Sequence, residues 1–270
     1  MLKIIKKIMR GANGKLPLRY RIRRLRKFSY CPNPDLKNFI FICGLHRSGT
    51  TLLENLLSSS FDVSYLRISV SESEGQHAQS VYSPALKFGG PGNFAFSSEM
   101  QNELNLLSDY VRHRNDIIED WSRFVVGRSN TIIEKSPPNL TKIWWLRKVF
   151  PNSKFIVITR DPRATAVATQ KWSRTSHTKL MEHWHSAYLQ ARTDWDERDT
   201  FHVKYEDICS DPALTMNKIE SFLGMPLLEK QNSVDTRFAK ITNSNSKYLE
   251  VFEGEVRMDG VWNEFGYEAL

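Results

Sequence analysis

The sequence predicts an α/β fold of three layers, with helices on both faces of a central, mostly parallel sheet of about five strands. Three observations predict it. Short apolar runs alternate with longer segments of helical period along most of the chain, the pattern of strand–helix–strand units. The two clearest runs, Phe39–Cys43 and Phe155–Thr159, are apolar at nearly every position, as strands covered on both faces must be. Each is followed by turn residues and then by a helical pattern. In such sheets ligands sit beyond the carboxyl ends of the strands.

In chain order, Phe39-Ile40-Phe41-Ile42-Cys43 is the first strand, and a helix follows with apolar positions at Leu52, Leu53, Leu56 and Leu57. A short strand is expected at Val63–Leu66. Residues 67–98 read as loop, with Gly89-Gly90-Pro91-Gly92 as turn chemistry. One long helix is expected over about 100–126, to within the usual boundary error of a few residues. Thr131-Ile132-Ile133 is the third strand. Pro137 and Pro138 suit a helix N-terminus, and that helix runs towards Phe150. After Phe155–Thr159, helices are expected at about 162–172 and 180–197. Phe201–Tyr205 is the fifth strand, and Asp211-Pro212 opens a helix ending near Gly224.

A chain of 270 residues, 40% hydrophobic and 25% charged, can bury a core without disulfides or metals. Its formal charge of +8 is not spread evenly. Residues 1–27 hold eleven Lys and Arg and no acid, and the remaining 27 basic and 30 acidic side chains leave a net of −3. The organisation expected is a basic arm over residues 1–35 and one domain over 36–270. The arm starts with Ile4, Ile5 and Ile8 on one helical face among Lys3, Lys6, Lys7 and Arg10. It is either a basic amphipathic segment for an anionic membrane surface or a solvated arm. The apolar runs are too short for a signal-peptide core or a membrane span. A cytoplasmic protein is expected, with peripheral membrane contact if the amphipathic reading of the arm holds. Basicity confined to an arm is a poor nucleic-acid footprint, so none is expected. Cys31, Cys43 and Cys209 match no zinc spacing and form no disulfide framework, and no metal is expected.

The first strand runs into Gly44-Leu45-His46-Arg47-Ser48-Gly49-Thr50-Thr51. Strand, glycine-containing loop and helix N-terminus together make an anion cradle. The Gly44-to-Gly49 spacing is that of the phosphate loop of nucleoside triphosphatases, but Thr50 replaces its lysine. A donor with a single 5′-phosphate and a terminal sulfate does not need that lysine. Arg47 can supply a forked cation, and Ser48, Gly49, Thr50 and Thr51 can donate further hydrogen bonds.

Gly44–Leu53, GLHRSGTTLL, resembles the phosphosulfate loop of sulfotransferases that use 3′-phosphoadenosine-5′-phosphosulfate (PAPS). It is most similar to the Arg-Ser-Gly-Thr-Thr variant of tyrosylprotein and many bacterial sulfotransferases. The resemblance continues in order over most of residues 39–225. It implies a P-loop NTPase-like fold, PAPS as donor with 3′-phosphoadenosine-5′-phosphate (PAP) as product, and transfer to a hydroxyl without a metal. A glycan or small hydroxylated metabolite is the favoured acceptor, and tyrosine stays open. The competing readings are a nucleotide-dependent phosphotransferase on the same fold and a binding protein that docks through its arm.

The resemblance carries over to further residues. Arg160, at the end of the strand Ile156–Thr159, matches the arginine of the family's 3′-phosphate motif. Eight residues on, where the family has Ser, this chain has Ala168. Thr169 is the neighbouring hydroxyl, turned by about 100° of helix, and Arg163 is a second candidate cation. Ser71-Glu72-Ser73-Glu74-Gly75-Gln76-His77 lies where the family places a catalytic glutamate. Glu74 is the first candidate for the base, with Glu72 and His77 as alternatives. Glu134-Lys135-Ser136-Pro137 resembles the family's Glu-Lys-Ser/Thr-Pro segment, which points Lys135 at the transferring group. Val203-Lys204-Tyr205-Glu206-Asp207 resembles its Tyr-Glu-Asp segment, with Tyr205 as a nucleotide contact. Ser244, Ser246 and Lys247 are placed to close over the nucleotide.

Overall fold

The structure is a computed structural model and describes residues 36–68, 73–229, 241–256 and 259–267. The basic arm, Cys31 and Glu72 lie outside the described residues. Strand β1 (Asn38–Cys43) is followed by helix α1 (Thr50–Ser60), β2 (Ser64–Leu66), α2 (Ser98–Leu106), α3 (Tyr110–Ser122) and β3 (Val125–Val126). Then come β4 (Thr131–Lys135), α4 (Ile143–Val149), β5 (Ser153–Thr159), α5 (Pro162–Ser173) and α6 (His177–Thr193). The chain continues through β6 (Thr200–Lys204), α7 (Tyr205–Ser210), α8 (Pro212–Leu223) and the short α9 (Ser246–Leu249).

The described strands form a six-stranded sheet in the order β3-β2-β4-β1-β5-β6. All neighbours are parallel except β2 and β3. β1 thus lies centrally between β4 and β5. Side chains on a strand alternate between faces. Ile40 and Ile42 pack with Leu52, Leu53, Leu56 and Leu57 of α1, while Phe39, Phe41 and Cys43 join the larger core on the other face. Each leucine so buried contributes about 1.5–3 kcal/mol, which fixes α1 and its N-terminus on the end of β1.

Five strands fall where the sequence puts them, and the sixth is the two-residue antiparallel edge β3. The single helix expected over 100–126 is instead α2, α3 and β3. The chain breaks after Leu106 because Asp109 starts a new helix, its carboxylate accepting from Arg112 N. The helix expected from Pro137 opens as a 3₁₀ turn, Pro137–Thr141, before α4. Tyr205 is not the last residue of β6 but the first of α7. Residues 73–97 are loop punctuated by 3₁₀ turns at Gly75–His77, Ala85–Phe88 and Phe94–Phe96.

Candidate functional site

The loop after β1 is tight. A Cβ on Gly44 would lie 2.6 Å from Ile158 Cγ2 and 2.7 Å from its carbonyl oxygen. Arg47 (φ 70°) and Gly49 (φ 100°) take left-handed backbone, a way for a loop to turn its N–H groups toward one concavity. For arginine this strain costs about 1–3 kcal/mol. Ser48 is fully buried, and its N–H and hydroxyl both donate to the Leu45 carbonyl (3.1 and 2.7 Å). Its hydroxyl therefore closes the loop. From behind, Tyr188 donates to the Ile158 carbonyl (2.6 Å) and accepts from Leu45 N (3.4 Å). No side chain caps α1 at Gly49, and its first turn holds no acid. That leaves an open, partly positive helix N-terminus, with Thr50 buried and Thr51 half-buried on it.

Arg160 leaves β5 beside this loop and is 4% exposed. It donates from Nε to Asn245 Oδ1 (2.8 Å), from Nη1 to the Arg47 carbonyl (3.0 Å) and from Nη2 to Ser244 Oγ (3.1 Å). Its guanidinium lies 4.4 Å from the Tyr205 ring centre and 5.1 Å from that of Tyr248. These partners are all neutral, and burial lowers its pKa. Arg47 Nε is buried with no hydrogen-bond partner, and its guanidinium lies 5.4 Å from the Trp172 ring centre. Burial pushes the Tyr248 phenol up, but Arg47, Lys247 and Arg160 together bring it below its ordinary value. Among the described residues neither arginine forms a salt bridge. A buried and a half-buried guanidinium group, neither in a salt bridge, carry a desolvation cost that an anion would relieve.

Arg163 is paired with Asp161 (2.9 Å), so it is committed to the cap of α5. Thr169 turns its hydroxyl to the His46 carbonyl (3.3 Å) and braces the loop, while Ala168 is buried beside it. Tyr205 packs its ring against Gly49, where a Cβ would come within 2.8 Å. Its hydroxyl bonds the Thr242 carbonyl (3.1 Å) and Ser244 (3.3 Å). Ser244 thus lies beside Arg160 and Tyr205. Glu206 went unread in the sequence: it accepts from Asn245 Nδ2 (2.7 Å), Asp161 N (2.9 Å) and Tyr267 Oη (2.8 Å). It anchors the asparagine that orients Arg160.

The other half of the site hangs on β4. Lys135 is paired in register with Ile42, one residue before the end of β1, and is 2% exposed. Burial depresses both His46 (to about 3) and His77 (to about 4), and the Lys135 charge adds to each. The turn that carries Glu74 is docked by side chains. Glu134 accepts from Gly75 N (2.8 Å), Ser136 Oγ (2.5 Å) and Asn139 Nδ2 (2.5 Å). Ser136 Oγ accepts from Gln76 N (3.1 Å), and Trp121 Nε1 donates to the Gly75 carbonyl (3.1 Å). Glu74 itself is 7% exposed. It accepts from Gln76 Nε2 (2.5 Å) and has His77 Nε2 at 3.7 Å. The sequence offered Glu134 only as part of the Glu-Lys-Ser-Pro segment, yet it is the clamp of the Glu74 turn.

A model of the sulfotransferase family matches residues 39–229, a span that holds the loop, Glu74, Lys135, Arg160 and Tyr205. The chain belongs to the sulfotransferase family. A curated relative, protein-tyrosine sulfotransferase A of Caenorhabditis elegans, is 26% identical over 213 residues, 71% of this chain. The match covers 51% of that protein, so this chain spans about half the length of the curated relative. The sulfotransferase domain of the Synechococcus PCC 7002 olefin synthase superposes with a TM-score of 0.53 at 15% identity, covering 91% of this chain and all of that domain. At that identity the likeness is one of fold. Among the described residues no group of three or more His, Cys, Asp or Glu could hold a metal ion, and no helix is long and apolar enough to cross a membrane.

Proposed function

We propose that this sulfotransferase-family chain moves a sulfuryl group from PAPS to a hydroxyl acceptor. One observation carries the reading: Arg160 is buried and Arg47 half-buried with its Nε buried and unpartnered, both beside an uncapped helix N-terminus and bound only to neutral partners. PAPS is an anion at two separated points, and it fits two such cations. Arg47, the loop N–H groups, Thr50 and Thr51 would hold the phosphosulfate. Arg160 would hold the 3′-phosphate, with Ser244 and Tyr205 beside it. PAPS supplies the sulfuryl group and a leaving phosphate.

Glu74 takes the acceptor's proton as its oxygen attacks. Lys135, buried at the end of β4 beside the end of β1, sets positive charge where negative charge grows on the sulfonate and leaving oxygens. Arg47 does so from the loop side. Thr50 in place of the phosphate-loop lysine disfavours a triphosphate donor. The acceptor proposed is a glycan or small hydroxylated metabolite. A tyrosyl hydroxyl is the competing acceptor, on the printed name of the nematode relative.

Calorimetry with PAP, beside ATP with and without magnesium, tests the donor. Micromolar-class binding of PAP alone (about −8 kcal/mol) without metal is expected, and binding of ATP–magnesium in its place overturns the reading. Turnover of PAPS against sugars, hydroxylated metabolites and tyrosyl peptides then selects the acceptor.

A further inference from the structure

Trp172 and Phe96 are exposed, at 48% and 39%. Exposed aromatics scattered singly need no account, but these two belong to one wall that starts at the phosphate loop. Trp172, in the last turn of α5, has its ring centre 5.4 Å from the Arg47 guanidinium and 6.4 Å from that of the His46 ring. His46 meets Phe94 edge-on at 6.0 Å, Phe94 meets His183 at 4.9 Å, and His183 meets Phe96 at 5.4 Å. Phe94 and His183 are buried and form the base of the wall. Ala95 N donates to His183 Nε2 (3.3 Å), which pins the Phe94–Phe96 turn to α6. A packed base of this kind holds the outer rings in place before any ligand arrives. Both outer rings carry cations. Lys171 Nζ lies 5.1 Å from the Trp172 ring centre and Lys179 Nζ 4.4 Å from that of Phe96. Lys179 also pairs with Glu182 (2.7 Å), but both side chains are exposed, so the pair is weak and exchangeable. Glu253 and Glu255 stand on the same side, their N–H groups donating to His177 Nδ1 and Thr178 Oγ1 (3.0 Å each). At the Trp172 end, among the described residues, neither Arg47 nor Lys171 pairs with a carboxylate.

Flat rings with cations beside them suit a ligand that combines an apolar face with negative charge. A pyranose offers such a face in its C–H groups, and a uronate or sulfate on the sugar supplies the charge. Two outer rings on one wall suit the repeating rings of an oligosaccharide. A tyrosyl peptide has one ring to offer, and that ring must enter the site to react. The wall also abuts the reacting group, because Arg47 beside Trp172 is the loop cation assigned to the phosphosulfate. We propose that Trp172 and Phe96 form the acceptor subsite and that it selects an anionic oligosaccharide: sugar rings lie on the two aromatic faces, and Lys171 and Lys179 take the carboxylates or sulfates. The acceptor hydroxyl oxygen then bonds sulfur as the bond from sulfur to the 5′-phosphate oxygen breaks. Its proton passes to Glu74, and PAP leaves with the electron pair. The inference rests on the PAPS reading and narrows its acceptor.

The test measures PAPS-dependent sulfation by the full chain of uronate-containing di- to hexasaccharides, and of the same sugars with their carboxylates reduced to alcohols. Acidic tyrosyl peptides run beside them. The uronate sugars should be sulfated with a KM about tenfold below that of the reduced forms. Trp172→Ala should raise that KM about tenfold and Phe96→Ala about threefold. Both should keep kcat and PAP affinity within about twofold, the signature of lost acceptor binding, and Tm within a few degrees because the side chains are exposed. Lys171→Gln and Lys179→Gln should each raise KM about threefold for the uronate sugars and leave it unchanged for the reduced ones, a selectivity that a structural role does not produce. Equal KM for charged and reduced sugars overturns the inference, as does an unchanged KM in Trp172→Ala and Phe96→Ala. So does sulfation of the peptides alone. A Trp172→Ala protein that loses PAP affinity together with Tm makes Trp172 a brace for Arg47 and overturns it too. Release of PAP from PAPS with water as the acceptor separates the two levels. If PAP neither binds nor forms, the PAPS reading fails and takes this inference with it. If PAP binds and forms but no oligosaccharide is sulfated, only the inference falls.

Discussion

The two halves of the site are built differently. The donor half is made of backbone and regular elements. β1 and β5 deliver the loop and Arg160, α1 offers its N-terminus, and Tyr188 braces the loop from behind. The base half has no regular element under Glu74. It is a 3₁₀ turn, docked by the side chains of Glu134, Ser136 and Trp121. Sheet hydrogen bonds share a load over many residues, whereas each docking bond here is single and buried. Losing one partner strands the other at a cost of about 1–3 kcal/mol. The donor half should tolerate substitution of most side chains except its two arginines. The base half should fail at several residues that never touch a substrate.

The largest expected effect separates the halves. Glu74→Gln should slow transfer by about 100-fold or more, the scale of general-base loss, with PAP affinity within about twofold. Equal slowing from Glu72→Gln, with Glu74→Gln silent, would move the base to the other acid. Next in size are the arginines. Arg160→Ala removes a charged fork worth about 1.5–3 kcal/mol to a bound phosphate, so PAP affinity should fall about 10- to 100-fold. Adenosine 5′-phosphate, which lacks the 3′-phosphate, should bind as before. Arg47→Ala should weaken both nucleotides, and a variant that weakens PAP alone would exchange the two assignments.

The same division governs what could be read from the sequence. The donor half follows from local patterns. The apolar run Phe39–Cys43, the glycines at 44 and 49 and the arginine ending Phe155–Thr159 each report a strand end or a turn. Strands β1, β4 and β5 fall as read. The base half depends on contacts of long sequence separation. Glu134 meets Gly75 across 59 residues and Ser136 meets Gln76 across 60. No periodicity encodes such a pairing, so nothing local in the sequence marks Glu134 as the clamp. The break at Leu106–Asp109 was missed for a related reason. Apolar positions continue at helical spacing through it, and the aspartate that starts α3 is also an ordinary surface residue.

A smaller effect probes the docking of the turn directly. A Cβ on Gly75 would fall 2.6 Å from Glu134 Oε1 and 2.6 Å from its Cγ. Gly75→Ala must therefore push the carboxylate off the turn. Turnover should fall about tenfold with PAP affinity preserved, at a stability cost of about 1–3 kcal/mol. Unchanged turnover would mean that the turn does not position the base, and the contrast between the halves would lose its functional meaning.

The smallest effect bears on the donor half, where this chain departs from its family. Ala168 is buried on α5 in place of the family's serine, and the adjacent Thr169 is occupied with the His46 carbonyl. One hydroxyl is thus missing beside the Arg160 site, and the neighbouring one is engaged elsewhere. Arg160 already has the Ser244 hydroxyl at 3.1 Å and Asn245 at 2.8 Å, polar groups brought in by the C-terminal segment. If these take over the serine's share, Ala168→Ser adds little. If they do not, the new hydroxyl donates to the 3′-phosphate and gains about 0.5–1.5 kcal/mol. Because Arg160's partners already satisfy Nε and Nη2, the hydroxyl would address the phosphate and not the arginine. We therefore expect PAP to bind about two- to tenfold more tightly to Ala168→Ser, with adenosine 5′-phosphate unaffected. Equal tightening of both nucleotides would place position 168 away from the 3′-phosphate, and unchanged binding of both would assign the serine's role to Ser244.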